Sequence, residues 1–241
     1  MQPFIEDIFD KIRNTEVRTE PFDHLIVDDL LPDDFYKELS REFESERFYG
    51  NYERGPYGNI ERFGADITDY PAWKNSDHRI PTTIHRRNYE SLFSGESTNI
   101  QSFVNLLLEN EENFYSLLCS KLPTERIQDN YFFHVSMSKD YAGYEIEPHT
   151  DATCENIYTI LFYAPSTTAN REFGLHVYED SNGFPINGKK IDFLPNRMIV
   201  FAPSDTNEER PTTWHEVRRL SNKLVGTRNS FQIFFYKSAN K

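Results

Sequence analysis

The chain reads as a mainly β protein, an antiparallel sandwich or small barrel with helices ahead of it, and three observations carry that reading. After Pro123, short runs rich in β-branched and aromatic residues alternate with turns, at 131–137, 157–163, 174–178, 190–193, 198–201, 213–217 and 230–236. Before Pro123, apolar residues recur at helical spacing instead. The 241 residues are 37% hydrophobic and include 20 Phe and 14 Tyr, which is enough aromatic material for a folded core.

In residues 3–12, Phe4, Ile5, Ile8, Phe9 and Ile12 form one apolar stripe, which predicts an amphipathic helix. Residues 24–27 predict a short strand. Pro32, Asp33 and Asp34 then open a helix continued by Phe35, Leu39 and Phe43, with the acids at the end where the helix dipole favours them. From 44 to 98 the chain is rich in Gly, Asn, Arg, Tyr and Pro without a sustained period, the texture of a lid or binding loop, with a disordered surface insertion as the competing reading. Helical spacing returns over 100–122 through Phe103, Val104, Leu107, Leu108, Phe114, Leu117 and Leu118, as one helix or a broken pair. The division expected is a single domain over 1–241, with N-terminal helices and a substrate lid in 1–122 and the β core in 123–241.

The net charge of -13, from 26 Lys and Arg against 39 Asp and Glu, repels a phosphate backbone, so no nucleic-acid partner is expected. Cys119 and Cys154 form no CxxC pair, which fits a reducing compartment. Glu6, Asp7 and Asp10 break up the apolar residues of the N-terminus, so it does not read as a signal peptide, and no stretch approaches the ~20 apolar residues of a membrane span. A soluble, cytoplasmic protein without a membrane partner is expected. Its oligomeric state is not readable.

The chemistry concentrates in residues 141–151, where His149 and Asp151 stand two apart between predicted strands and can converge on one cation. His215, in the later strand 213–217, supplies a second imidazole. Two imidazoles and a carboxylate on one face of an octahedron leave three positions open, the geometry of non-haem iron(II) oxygenases. A bare HxD pair recurs by chance, but Arg228 at the head of the last aromatic strand adds a fork matched to a carboxylate.

Through Tyr141 and Gly143, Pro148-His149-Thr150-Asp151, Thr159 to Tyr163, Phe173-Gly174-Leu175, Pro195 to Phe201, Trp214-His215-Glu216-Val217 and Arg228-Asn229-Ser230, residues 131–236 resemble the Fe(II)/2-oxoglutarate-dependent oxygenase superfamily, in particular its prolyl-4-hydroxylase-like branch. The resemblance implies a double-stranded β-helix, a cupin-like jelly roll. It implies His149, Asp151 and His215 as metal ligands, Arg228 as partner of the distal carboxylate of 2-oxoglutarate, and Tyr163 as hydrogen-bond donor to it. Tyr141 is implied to line the same pocket, and the Ser230 hydroxyl matches the Arg-x-Ser pattern of some branches. Fe(II), 2-oxoglutarate as co-substrate and O2 follow, with hydroxylation of a C–H bond and release of succinate and CO2. Related halogenases lack the carboxylate that Asp151 provides, which favours hydroxylation.

A prolyl or other residue of a peptide or protein is the leading substrate, and a free amino acid or other small metabolite its rival. A non-catalytic ligand-binding β-helix is the reading from another class. The stretch 44–98, with Arg54, Tyr57, Arg62 and Arg86, is expected to form the substrate mouth. Residues 179–189, with Asn182-Gly183 and Asn187-Gly188 turns, are read as a hairpin loop or part of that mouth. Glu172 before Phe173-Gly174 departs from the family, which often has a second Gly or an acid just before Gly-Leu. His24, His78, His85, His134 and His176 are read as surface or structural, His176 being nearest the site. Cys154 and Trp214 are read as packing residues.

Overall fold

The structure, a computed structural model, describes residues 4–45, 62–66, 99–127, 129, 131–152, 155–206 and 209–237. Helix α1 (Ile5–Asn14) buries Ile5, Ile8, Phe9 and Ile12, as its stripe predicts. Strand β1 (His24–Val27) and helix α2 (Asp33–Ser45) follow, with Leu39 and Phe43 fully buried. Of the expected lid, only Glu44, Ser45 and strand β2 (Arg62–Asp66) are described; Arg54, Tyr57 and Arg86 lie outside the described residues.

The helical stretch is a broken pair, α3 (Asn99–Glu109) and α4 (Glu111–Lys121). The break has a local cause: the Asn110 amide donates back to the Leu106 carbonyl at 2.9 Å, in competition with the helix backbone. At the other end of α3, Glu42 of α2 accepts from the Ile100 backbone N–H and the Asn99 amide, tying the two helices together.

The β elements are β3 (Tyr131–Asp140), β4 (Ile146–His149), β5 (Asn156–Tyr163), β6 (Leu175–Ser181), β7 (Phe184–Ile191), β8 (Arg197–Phe201), β9 (His215–Val217) and β10 (Arg228–Lys237). They build a six-stranded sheet in the order β1-β8-β5-β10-β3-β2 and a four-stranded sheet in the order β4-β9-β6-β7, with every pairing antiparallel. This is the two-sheet jelly roll expected. Among the described residues no helix is long and apolar enough to cross a membrane.

The larger sheet has a different neighbour on each face. Ile160, Phe162, Phe231 and Ile233 face the helices, where Phe43, Phe103, Phe162 and Phe231 meet with ring centroids 5.0–6.0 Å apart. Leu161, Tyr163, Ile199 and Phe201 face the smaller sheet and join Leu175, Val177, Ile191 and Val217 in the barrel interior. The period of two in a strand produces this split.

The stretch 179–189 is not a loop. It is the paired tip of β6 and β7, closed by Asn182 and Gly183 with positive φ of 54° and 83°, as a two-residue hairpin turn requires. Asn187-Gly188 sits inside β7, where the register slips between Val177 and Glu179. Just before β6, a Cβ on Gly174 would stand 1.7 Å from the Ile191 carbonyl oxygen. Gly174→Ala is therefore expected to destabilise the fold by at least ~3 kcal/mol, read as a lowered Tm, because the backbones of β6 and β7 have to separate.

Candidate metal centre

His149 ends β4 and His215 opens β9, and the two are direct cross-strand partners with ring centroids 4.3 Å apart. Each donates its Nδ1 hydrogen to the carbonyl two residues earlier, Glu147 at 2.8 Å and Thr213 at 2.9 Å. A carbonyl can only accept, so both rings carry the proton on Nδ1 and turn a lone pair outward on Nε2. Asp151 follows β4 with Oδ1 3.7 Å from His149 Nε2 and Oδ2 3.6 Å from His215 Nε2. One donor atom from each of the three lies within 4.8 Å of the others.

His215 is buried, and burial followed by the neighbouring His149 pushes its pKa down to about 4. It is neutral at neutral pH, the form that binds metals. Two imidazoles and one carboxylate, each oriented before any ion arrives, suit a divalent transition metal. The sequence places these three residues together and so does the structure.

The Thr159 hydroxyl, from β5 of the larger sheet, donates to Asp151 Oδ2 at 2.7 Å. Four residues along β5 and on the same inward face stands Tyr163, fully buried, whose phenol pKa is raised by burial, so it remains a neutral donor. Arg228 Nη2 lies 3.5 Å from the Tyr163 hydroxyl, and the guanidinium is 5.3 Å from the Tyr163 ring centre and 5.5 Å from that of Phe193. Its Nε donates to the Phe173 carbonyl at 2.8 Å. Its Nη1 donates to Asp140 Oδ2 at 2.8 Å, an ion pair in which Arg228 is 2% and Asp140 0% exposed.

Ser230 pairs with Ser138 in the register and through their hydroxyls at 3.0 Å, beside the Gln232 amide. Tyr141, next after Asp140, is 40% exposed at the barrel rim. His176 alternates with Val177, the register partner of His215, and so faces away from the metal centre towards Glu216 and Lys190. His24 and His134 are buried, one bonded to the Phe22 carbonyl and the other stacked on Phe234. Trp214 is half-buried and donates to Asp180. His78, His85 and Cys154 lie outside the described residues.

Asp140 and Thr159 are the residues that motif reading passes over. A period-two signal marks Asp140. His134, Ser136, Ser138 and Asp140 alternate with Val135 and Met137 in β3, and Arg228, Ser230 and Gln232 alternate with Phe231 and Ile233 in β10. Two adjacent central strands thus turn a polar row towards the barrel interior, which packing alone does not call for.

No protein-family model matches the chain, and no curated protein sequence matches it. By structure it is similar to a Pseudomonas putida prolyl-4-hydroxylase, with 13% identity, a TM-score of 0.53, and 98% of this chain and 100% of that one covered. It is also similar to a Trichoplax adhaerens prolyl hydroxylase in complex with a peptide fragment of the hypoxia inducible factor oxygen degradation domain, with 14% identity, a TM-score of 0.61, and coverages of 98% and 94%. At these identities the likeness is one of fold.

Proposed function

We propose that this chain is an iron(II)- and 2-oxoglutarate-dependent oxygenase that hydroxylates a C–H bond in a prolyl or other residue of a peptide or protein. The convergence of His149, Asp151 and His215 inside a barrel of prolyl-hydroxylase fold carries the reading. Iron(II) with 2-oxoglutarate and O2 supplies the oxidising chemistry, with succinate and CO2 as co-products.

The chain contributes positioning and exclusion of water. His149, Asp151 and His215 hold the ion on one face and leave the opposite face for ligands. Arg228 and Tyr163 receive the distal carboxylate of the co-substrate. Thr159, which ties down Asp151, and Tyr163, which touches Arg228, are four residues apart on β5, or about 13 Å of strand. That span suits a five-carbon diacid lying between the metal and the guanidinium. The buried aromatic walls of Phe193, Phe201 and Tyr163 keep bulk water from this space.

A polypeptide substrate is supported by the β6–β7 hairpin, which runs past the Val177–His215 pair and exposes Phe184 (70%) and Ile186 (41%). It is supported too by the peptide-bound relative. Succinate formation under iron(II), O2 and 2-oxoglutarate is expected to rise with proline-containing peptides and not with free amino acids. The reverse preference would move the substrate to a metabolite, and a protein that binds no iron(II) would end the oxygenase reading.

A further inference from the structure

We propose that Asn156 and Thr159 form a relay that restricts Asp151 to one metal-binding oxygen and so preserves the ion's open positions. The inference rests on the metal-ligand reading above.

Thr159 carries the one aliphatic hydroxyl in β5, a strand buried along its whole length. Its Oγ1 donates to Asp151 Oδ2 at 2.7 Å, and the same oxygen receives the Asn156 amide Nδ2 at 3.3 Å. An amide N–H only donates and a carboxylate only accepts, so the hydroxyl between them has a single orientation, its hydrogen towards Asp151. The opposite setting of the Asn156 amide would put two acceptors against that hydrogen. Asn156 is 1% and Thr159 2% exposed, so water does not compete for either contact.

Among the described residues Asn156 Oδ1 has no hydrogen-bond partner, although the residue is buried. An unmet buried acceptor is a stability penalty that an apolar side chain would avoid. The residue therefore makes sense by its donor, which points at Thr159. With Oδ2 engaged, Asp151 offers Oδ1 to a metal. A carboxylate binding through both oxygens would take one of the three positions that a chelating co-substrate and dioxygen need between them.

The test uses the full chain with cobalt(II), which is stable in air, and separately with iron(II) and 2-oxoglutarate under anaerobic conditions. Thr159→Val keeps the side-chain shape and removes the hydroxyl. It is expected to weaken cobalt(II) binding 10- to 100-fold, the range for lost outer partners of a metal ligand. X-ray absorption of the cobalt(II) form should then show an added carboxylate oxygen. Thr159→Ser is expected to restore both readings, which a purely packing role for the Thr159 methyl does not predict. Asn156→Leu leaves the hydroxyl without its orienting donor and is expected to shift both readings in the direction of Thr159→Val, so a folding defect in one variant leaves the other to decide. Unchanged affinity and unchanged coordination in the folded variants overturn the relay while the metal site stands. Failure of the wild-type chain to bind cobalt(II) or iron(II) removes both.

Discussion

His215→Ala is expected to abolish the charge-transfer absorbance that forms when iron(II) and 2-oxoglutarate bind together anaerobically, and with it all turnover. His215 supplies one of three donors and is the most buried of them, at 5% relative exposure. Loss of an outer partner alone typically weakens metal binding 10- to 100-fold, so loss of a direct ligand should exceed about 100-fold. The fold should survive, because the Ala methyl still faces Val177 across the ladder and the change opens only a ring-sized gap beside Phe201. Iron(II) affinity equal to that of the wild-type chain would strike His215 from the ligand set. Added zinc, which outcompetes iron(II) at such donors, should inhibit the intact protein.

Arg228→Met carries the second large effect, and the structure divides it in two. Losing a buried charged partner should weaken 2-oxoglutarate binding by roughly 2 to 5 kcal/mol, which is at least ~30-fold in the apparent constant. The substitution also takes from Asp140, whose carboxylate is 0% exposed, the guanidinium that pairs with it at 2.8 Å. Removing one partner of a buried ion pair costs on the order of 3 to 5 kcal/mol in stability. Pairing Arg228→Met with Asp140→Leu should therefore restore much of the Tm while leaving co-substrate binding lost. If the double variant regains 2-oxoglutarate affinity, the single variant's defect was one of folding, and another cation holds the distal carboxylate.

The residues of the candidate site were legible because their chemistry is written in side-chain type: two imidazoles, a carboxylate and an Arg keep their meaning whatever the local structure. The long strands were legible from alternation, and α1, α2 and the α3–α4 pair from stripes that the structure buries. Four things were not. Strand β4 carries Glu147 and Pro148 and has no buried alternating face, so His149 read as lying between strands. Among the described residues strand β2 pairs with β3 alone, at the sheet edge, and its short Gly-containing run offers no pattern to read. The full length of the β6–β7 strands was hidden by Asn187-Gly188, which spells a turn in isolation and is absorbed as a bulge once β6 fixes the register. Asp140 takes its significance from Arg228, 88 residues on, and Thr159 from Asp151, eight residues back on the connection between the sheets, contacts that only the folded barrel makes.

The metal centre spans the barrel. His149 and His215 belong to the four-stranded sheet, whereas Asp151 hangs from the connection between the sheets and is tied to the six-stranded one through Thr159. An ion held by all three acts as a non-covalent cross-link between the two layers at the mouth of the jelly roll. Because only the folded chain assembles those donors, the ion's binding free energy adds to folding stability by mass action, about 2.7 kcal/mol when free metal stands at 100 times its Kd. Resistance to heat, denaturant and protease is then a property of the chain together with its surrounding metal concentration. Stripped by a chelator, the same polypeptide loses that increment and is expected to melt at a lower temperature.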